Sequence, residues 1–83
     1  MKTPKESITF SDAARAITPG WYRHYKGLRH EVVGLGHHSE TLEELVIYRH
    51  EGQEDFWARP VSMWFEDVTY NGVTQPRFVR EEV

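Results

Sequence analysis

The sequence predicts a mainly β domain: a small, strongly bent antiparallel sheet or SH3-like barrel with a short N-terminal α-helix. Three observations point there. From Trp21 onward the side chains alternate with a period of two, as they do along a strand. Short runs of β-branched and aromatic residues then recur between turn-forming residues as far as Phe78. Gly34 and Gly36 interrupt one such run, where they mark bulges or a sharp bend. Bent strands suit a small barrel, and closure removes unpaired strand edges. An open antiparallel sheet packed on the helix is the alternative.

Residues 1–10 form a polar, proline-containing segment expected to be flexible; residues 11–79 form one domain, and residues 80–83 a polar tail. Residues 11–17 read as two helical turns. Ser11 is the N-cap, Asp12 suits the positive helix end, and Phe10 is placed to staple the apolar face. Thr18-Pro19-Gly20 ends the helix, because proline cannot continue the hydrogen-bond ladder.

In the first strand Trp21, Arg23 and Tyr25 share one face, and Tyr22, His24 and Lys26 the other. Lys26-Gly27 supplies a tight turn in which Gly27 takes a positive φ. Residues 28–37 return as a second strand, and residues 38–43 connect it to a third at 44–50. The third strand is apolar on both faces between Leu45 and Tyr48, so it belongs in the middle of the sheet. Residues 51–55 form an exposed acidic loop. Residues 56–59 are a short strand closed by Pro60, and residues 61–65 a single helical turn. A hairpin ends the domain, with strands at 66–70 and 73–78 around a type I′ turn at Asn71-Gly72. Pro76 confines its second strand to an edge or a bulge.

Composition sets the functional bounds. At 83 residues there is room for one domain, and the 13% of aromatic residues supply much of its core. The net charge of −3 gives no global pull toward nucleic acid or anionic membrane. There is no cysteine, which excludes disulfides and thiolate chemistry and fits a cytoplasmic protein. No run of residues is apolar enough to span a membrane, and the N-terminal residues lack the apolar stretch of a signal peptide.

Four blocks of the chain are similar to signature blocks of a bacterial family, domain of unknown function 1653. They are YRHYKG, HSET-E-LVIYR, W-RP--M--E-V and PRF, in that order, within residues 20–78. The chain departs from that pattern at His30, where members more often show an aromatic, and in its acidic 51–55 loop. The resemblance implies a small, mostly β bacterial domain, with no catalytic residue, cofactor or partner to carry over.

The pairing of arginines with aromatic residues is the main chemical signal. Arg23 lies between Trp21 and Tyr25, Arg49 follows Tyr48, Arg59 shares a face with Trp57, and Arg77 precedes Phe78. Guanidinium groups over rings can clamp phosphate or carboxylate, and exposed rings can stack on bases. The expected ligand-binding set is therefore Trp21, Arg23, Tyr25, His38, Arg49, Trp57 and Arg59, engaging an anionic small ligand, a nucleotide or single-stranded nucleic acid. The plain alternative is that arginine stems cover core rings, in a structural or protein-interaction module without a small-molecule ligand.

His37 and His38 are adjacent and point to opposite faces of a strand, whereas His24 and His30 can meet across the Lys26-Gly27 turn. No His-x-x-x-His spacing occurs, so no metal or other cofactor is expected. His38, Ser39 and Glu40 bring a base, a hydroxyl and a carboxylate together in sequence. Immediate neighbours rarely reach triad geometry, which weighs against an enzyme.

Overall fold

The computed structural model describes residues 9–81. Residues 1–8, which carry most of the expected flexible segment, and residues 82–83 of the tail lie outside the described residues.

The chain begins with α1 (Asp12–Arg15), a single turn where two were expected. Ser11 caps it, its Oγ accepting from the Ala14 N–H, and Arg15 pairs with Asp12. The helix stops early because Thr18 precedes Pro19, which disfavours helical backbone. Instead, the Tyr22 hydroxyl donates to the Thr18 carbonyl, and Arg80 donates to Thr18 Oγ1 and the Pro19 carbonyl. Ala14 and Ile17 are buried, so even one turn anchors the segment to the core.

Five strands form the main sheet: β1 (Gly20–His24), β2 (Arg29–His37), β3 (Glu44–His50), β4 (Trp57–Pro60) and β7 (Phe78–Arg80). Their order is β4-β3-β2-β1-β7, and every pairing is antiparallel. Gly27, at φ 94°, makes the β1–β2 turn. The register slips between Val32 and Gly34, which turns Val33 outward and returns Leu35 to the core. Helix α2 (Val61–Trp64) follows β4 and buries Val61 and Trp64. Trp64 stacks on Phe78 with ring centroids 4.0 Å apart.

The expected barrel does not close. β4 and β7 remain edges of an open sheet, while β5 (Asp67–Tyr70) and β6 (Val73–Pro76) pair only with each other. The reason lies at Pro76-Arg77. Pro76 ends β6, the Arg77 N–H donates to the Glu66 carbonyl, and the chain leaves the hairpin to join β1. The hairpin turn itself has the expected form, with Asn71 and Gly72 both at positive φ.

The open sheet nevertheless curls. Arg59 on β4 holds its guanidinium carbon 5.7 Å from the Phe78 ring on β7. Strands four places apart would lie roughly 19 Å apart in a flat sheet. The concave face carries the core: Tyr22, Val32, Val46, Tyr48 and Phe78, closed over by Trp64.

Candidate functional site

Strand register decides which side chains meet. Cross-strand partners share a face, so Trp21, Glu31 and Arg49 form one row on the convex face. Tyr22, His30 and His50 form a row on the concave face, beside a second row of Val32, Tyr48 and Trp57. Arg59 is the partner of Val46 and is concave as well. The predicted residues are thus divided, with Trp21, Arg23 and Arg49 on one face and Trp57 and Arg59 on the other.

On the convex face every arginine is matched by a carboxylate. Arg49 bonds Glu31 at 2.7 Å, and Arg23 reaches Glu81 at 3.1 Å. Arg29 bridges Glu51 at 2.6 Å and Glu81 at 3.0 Å, and its guanidinium covers the Trp21 ring at 4.5 Å. An open cleft of about 440 Å³ lies along this network, between Arg23, Arg29, Glu51 and Gln53, with His50 at the end it shares with the concave face. Its arginines are already neutralised, so it offers little to an incoming anion.

The concave face differs. A cleft of about 270 Å³ is lined by His24, Lys26, His30, His50 and Arg59, over Tyr48 and Phe78. Its lining contains no carboxylate, and among the described residues neither Lys26 nor Arg59 is in a salt bridge. His24 and His30 do meet across the turn, with centroids 5.6 Å apart. His50 stands perpendicular to His30 at 4.5 Å, and Trp57 stacks on the outer side of this group, 5.6 Å from His50.

Two features mark the cleft as incompletely satisfied. His30 is only 5% exposed, yet its Nδ1 has no hydrogen-bond partner, and the buried Arg59 Nε has none either. Buried polar atoms normally find a partner, so such orphans call for an explanation. Burial above all, then the neighbouring His50 and His24, pull the His30 pKa down to about 4. His24 is lowered too, by burial first and then by Arg77, Lys26 and Arg59. Its Nδ1 accepts the Lys26 N–H, which fixes a neutral tautomer with Nε2–H as donor.

The two remaining predicted residues serve local structure. Tyr25 is half-buried against Tyr70, and Arg77 sits over its ring at 6.0 Å. His38 Nδ1 accepts the N–H groups of Glu40 and Thr41, shaping the loop after β2; this use of the ring also removes it from a triad with Ser39. Among the described residues, no group of three His, Cys, Asp or Glu side chains is arranged to hold a metal ion. None of the helices in the described residues is long and apolar enough to cross a membrane. His24, Lys26, His30 and His50, which line this cleft, are absent from the expected set. Their signal was the period-two face of β1 combined with the β2–β3 register, and sequence alone leaves that register open.

Fold and cleft together define a class: a small open β domain whose curled sheet holds a cationic, imidazole-rich hollow. The family model described as "Protein of unknown function (DUF1653)" matches residues 20–80, and the chain belongs to that family. It is similar to the crystal structure of a DUF1653 protein from Bordetella bronchiseptica, at 32% identity and a TM-score of 0.74. The likeness covers 82% of this chain and 91% of that one. No curated protein matches the chain.

Proposed function

We propose that the domain is a receptor for a small oxyanion-bearing ligand, such as a phosphorylated metabolite or nucleotide, held in the concave cleft. One observation carries this reading: Lys26 and Arg59 flank three imidazoles with no carboxylate among them, whereas the convex arginines are all paired. An anion would supply the partner that the buried Arg59 Nε lacks, and charge-assisted hydrogen bonds are the strong ones. The half-exposed Trp57 ring at the rim offers a stacking surface for a ligand carrying a planar group. A cysteine-free chain suits the cytoplasm, where such ligands are abundant.

Amide-shift titration with inorganic phosphate, adenosine monophosphate and a short single-stranded oligonucleotide tests the reading. Shifts should cluster at His24, His30, His50 and Arg59 and weaken as salt is added. Shifts confined to Arg23, Arg29 and Arg49, or none at any of these positions, would overturn it.

A second reading is favoured by the free edge of β4, where Phe56 and Trp57 are both exposed. An interaction module would add a partner strand there. It predicts silence in the anion titration, together with self-association or partner capture that is lost when Trp57 is replaced.

A further inference from the structure

The groups that face the His30–His50 pair come from every element packed against it. β1 contributes Tyr22 and His24, the following turn Lys26, β3 Tyr48 and β4 Arg59, while Arg77, in the link into β7, acts on His24. Phe78 and Trp64 close the site without a titratable group. Glu51, which follows His50 in the chain, is engaged by Arg29, and Glu66 is engaged by Arg77.

We infer that the cleft takes its oxyanion together with a proton, captured by the His30–His50 imidazole pair, so that occupancy is governed by pH. This rests on the reading of the cleft as an oxyanion site and specifies how that site is regulated.

Two imidazoles 4.5 Å apart, walled in by cations and rings, hold no charge-balancing group. Adding a proton to the cleft alone would place one more positive charge beside Lys26 and Arg59. Burial and this surrounding charge explain the lowered His30 and His24 values. A dianion inverts the balance, because an opposite charge within about 4–6 Å favours the protonated form. His24 is not the acceptor, since its Nδ1 is bound to the Lys26 N–H. The buried, unpartnered His30 Nδ1 takes the proton or shares it with His50, whose ring stands 4.5 Å away and lines the cleft. Solvent supplies the proton, and only an N–H bond forms.

Calorimetric titration of the whole chain with sodium sulfate isolates the effect. Sulfate keeps both charges across the working range, so any proton exchanged belongs to the protein. Repeating the titration in buffers of different ionisation enthalpy should show net proton uptake. Affinity should weaken by up to about tenfold per pH unit, the slope of a one-proton linkage, as the pH rises from about 4, the His30 value without the anion, toward the ordinary imidazole value of 6.5. His30→Gln should abolish the uptake, and His50→Gln, nearer the mouth of the cleft, should reduce it without unfolding the domain.

Sulfate binding with buffer-independent heat and a flat pH profile would overturn the proton coupling and leave the anion site standing. Unchanged uptake in a folded His50→Gln and in a folded His30→Gln would overturn it as well. Failure of both sulfate and phosphate to bind at any pH in this range would end the coupling and the anion reading together.

Discussion

His30 is the one buried histidine among the described residues, and its chemistry is visible in stability. Its pKa falls from 6.5 to about 4 on folding, chiefly through burial. Between those values the unfolded chain binds a proton that the native chain refuses, so stability rises with pH across that window. Taking the pH from above 6.5 down to about 4 should cost the fold about 2–3 kcal/mol from this group. Urea unfolding at the two pH values measures the loss, and His30→Phe should largely remove it. Gly20 makes a second prediction. It sits at φ 138°, and a Cβ there would lie 2.8 Å from the Arg80 guanidinium that ties down Thr18 and Pro19. Gly20→Ala should therefore destabilise the domain by about 1–3 kcal/mol, the usual scale for a strained backbone residue, read as a lowered melting temperature.

Elements differ in how firmly they are held. Helix α1 is a single turn, so its cap carries an unusual share of its stability. Ser11 Oγ accepts from Ala14, while Ser11 also donates through its N–H and hydroxyl to Glu44 on β3. Those bonds hold the Glu44 carboxyl below its ordinary pKa, the backbone bond first. Ser11→Ala should cost about 1 kcal/mol, the usual value of an N-cap, and should let α1 fray in amide exchange. The β5–β6 hairpin is the loosest element, because an isolated two-stranded ribbon has marginal stability in water. Amides at positions 67–76 should exchange at least about tenfold faster than those of β2 and β3. Comparable protection in both would contradict the open architecture.

These element boundaries were largely legible beforehand, because each is set by local chemistry. Asn71-Gly72 dictates the primed turn, Pro60 closes β4, and Val61 to Trp64 forms the short helix. The strand at 44–50 falls where its apolar pattern placed it. What stayed hidden was pairing. Nothing local to 66–78 states that the hairpin pairs only with itself, and that fact alone separates an open sheet from a barrel.

At the scale of the whole molecule, the curled sheet sorts its charges. Its convex face matches arginines with glutamates, and the cleft on its concave face gathers cations and imidazoles without a carboxylate. The arginine–aromatic signal in the sequence was a real feature of composition, but register divides it. Arg23 and Arg49 alternate onto the face that Glu31 and Glu81 already occupy, whereas Arg59 turns inward beside Trp57. A net charge of −3 gives no hint of that separation.

The division between the faces is tested most directly by comparing phosphate affinity in Arg59→Gln and Arg49→Gln. Removing a charged hydrogen-bond donor from an anion site typically loses about 1.5–3 kcal/mol, or roughly ten- to a hundredfold in affinity. Arg59→Gln should show that loss, while Arg49→Gln, which breaks only a surface ion pair, should bind within about twofold of the parent. Equal losses in both variants, or a loss confined to Arg49→Gln, would contradict the assignment of the anion site to the concave cleft.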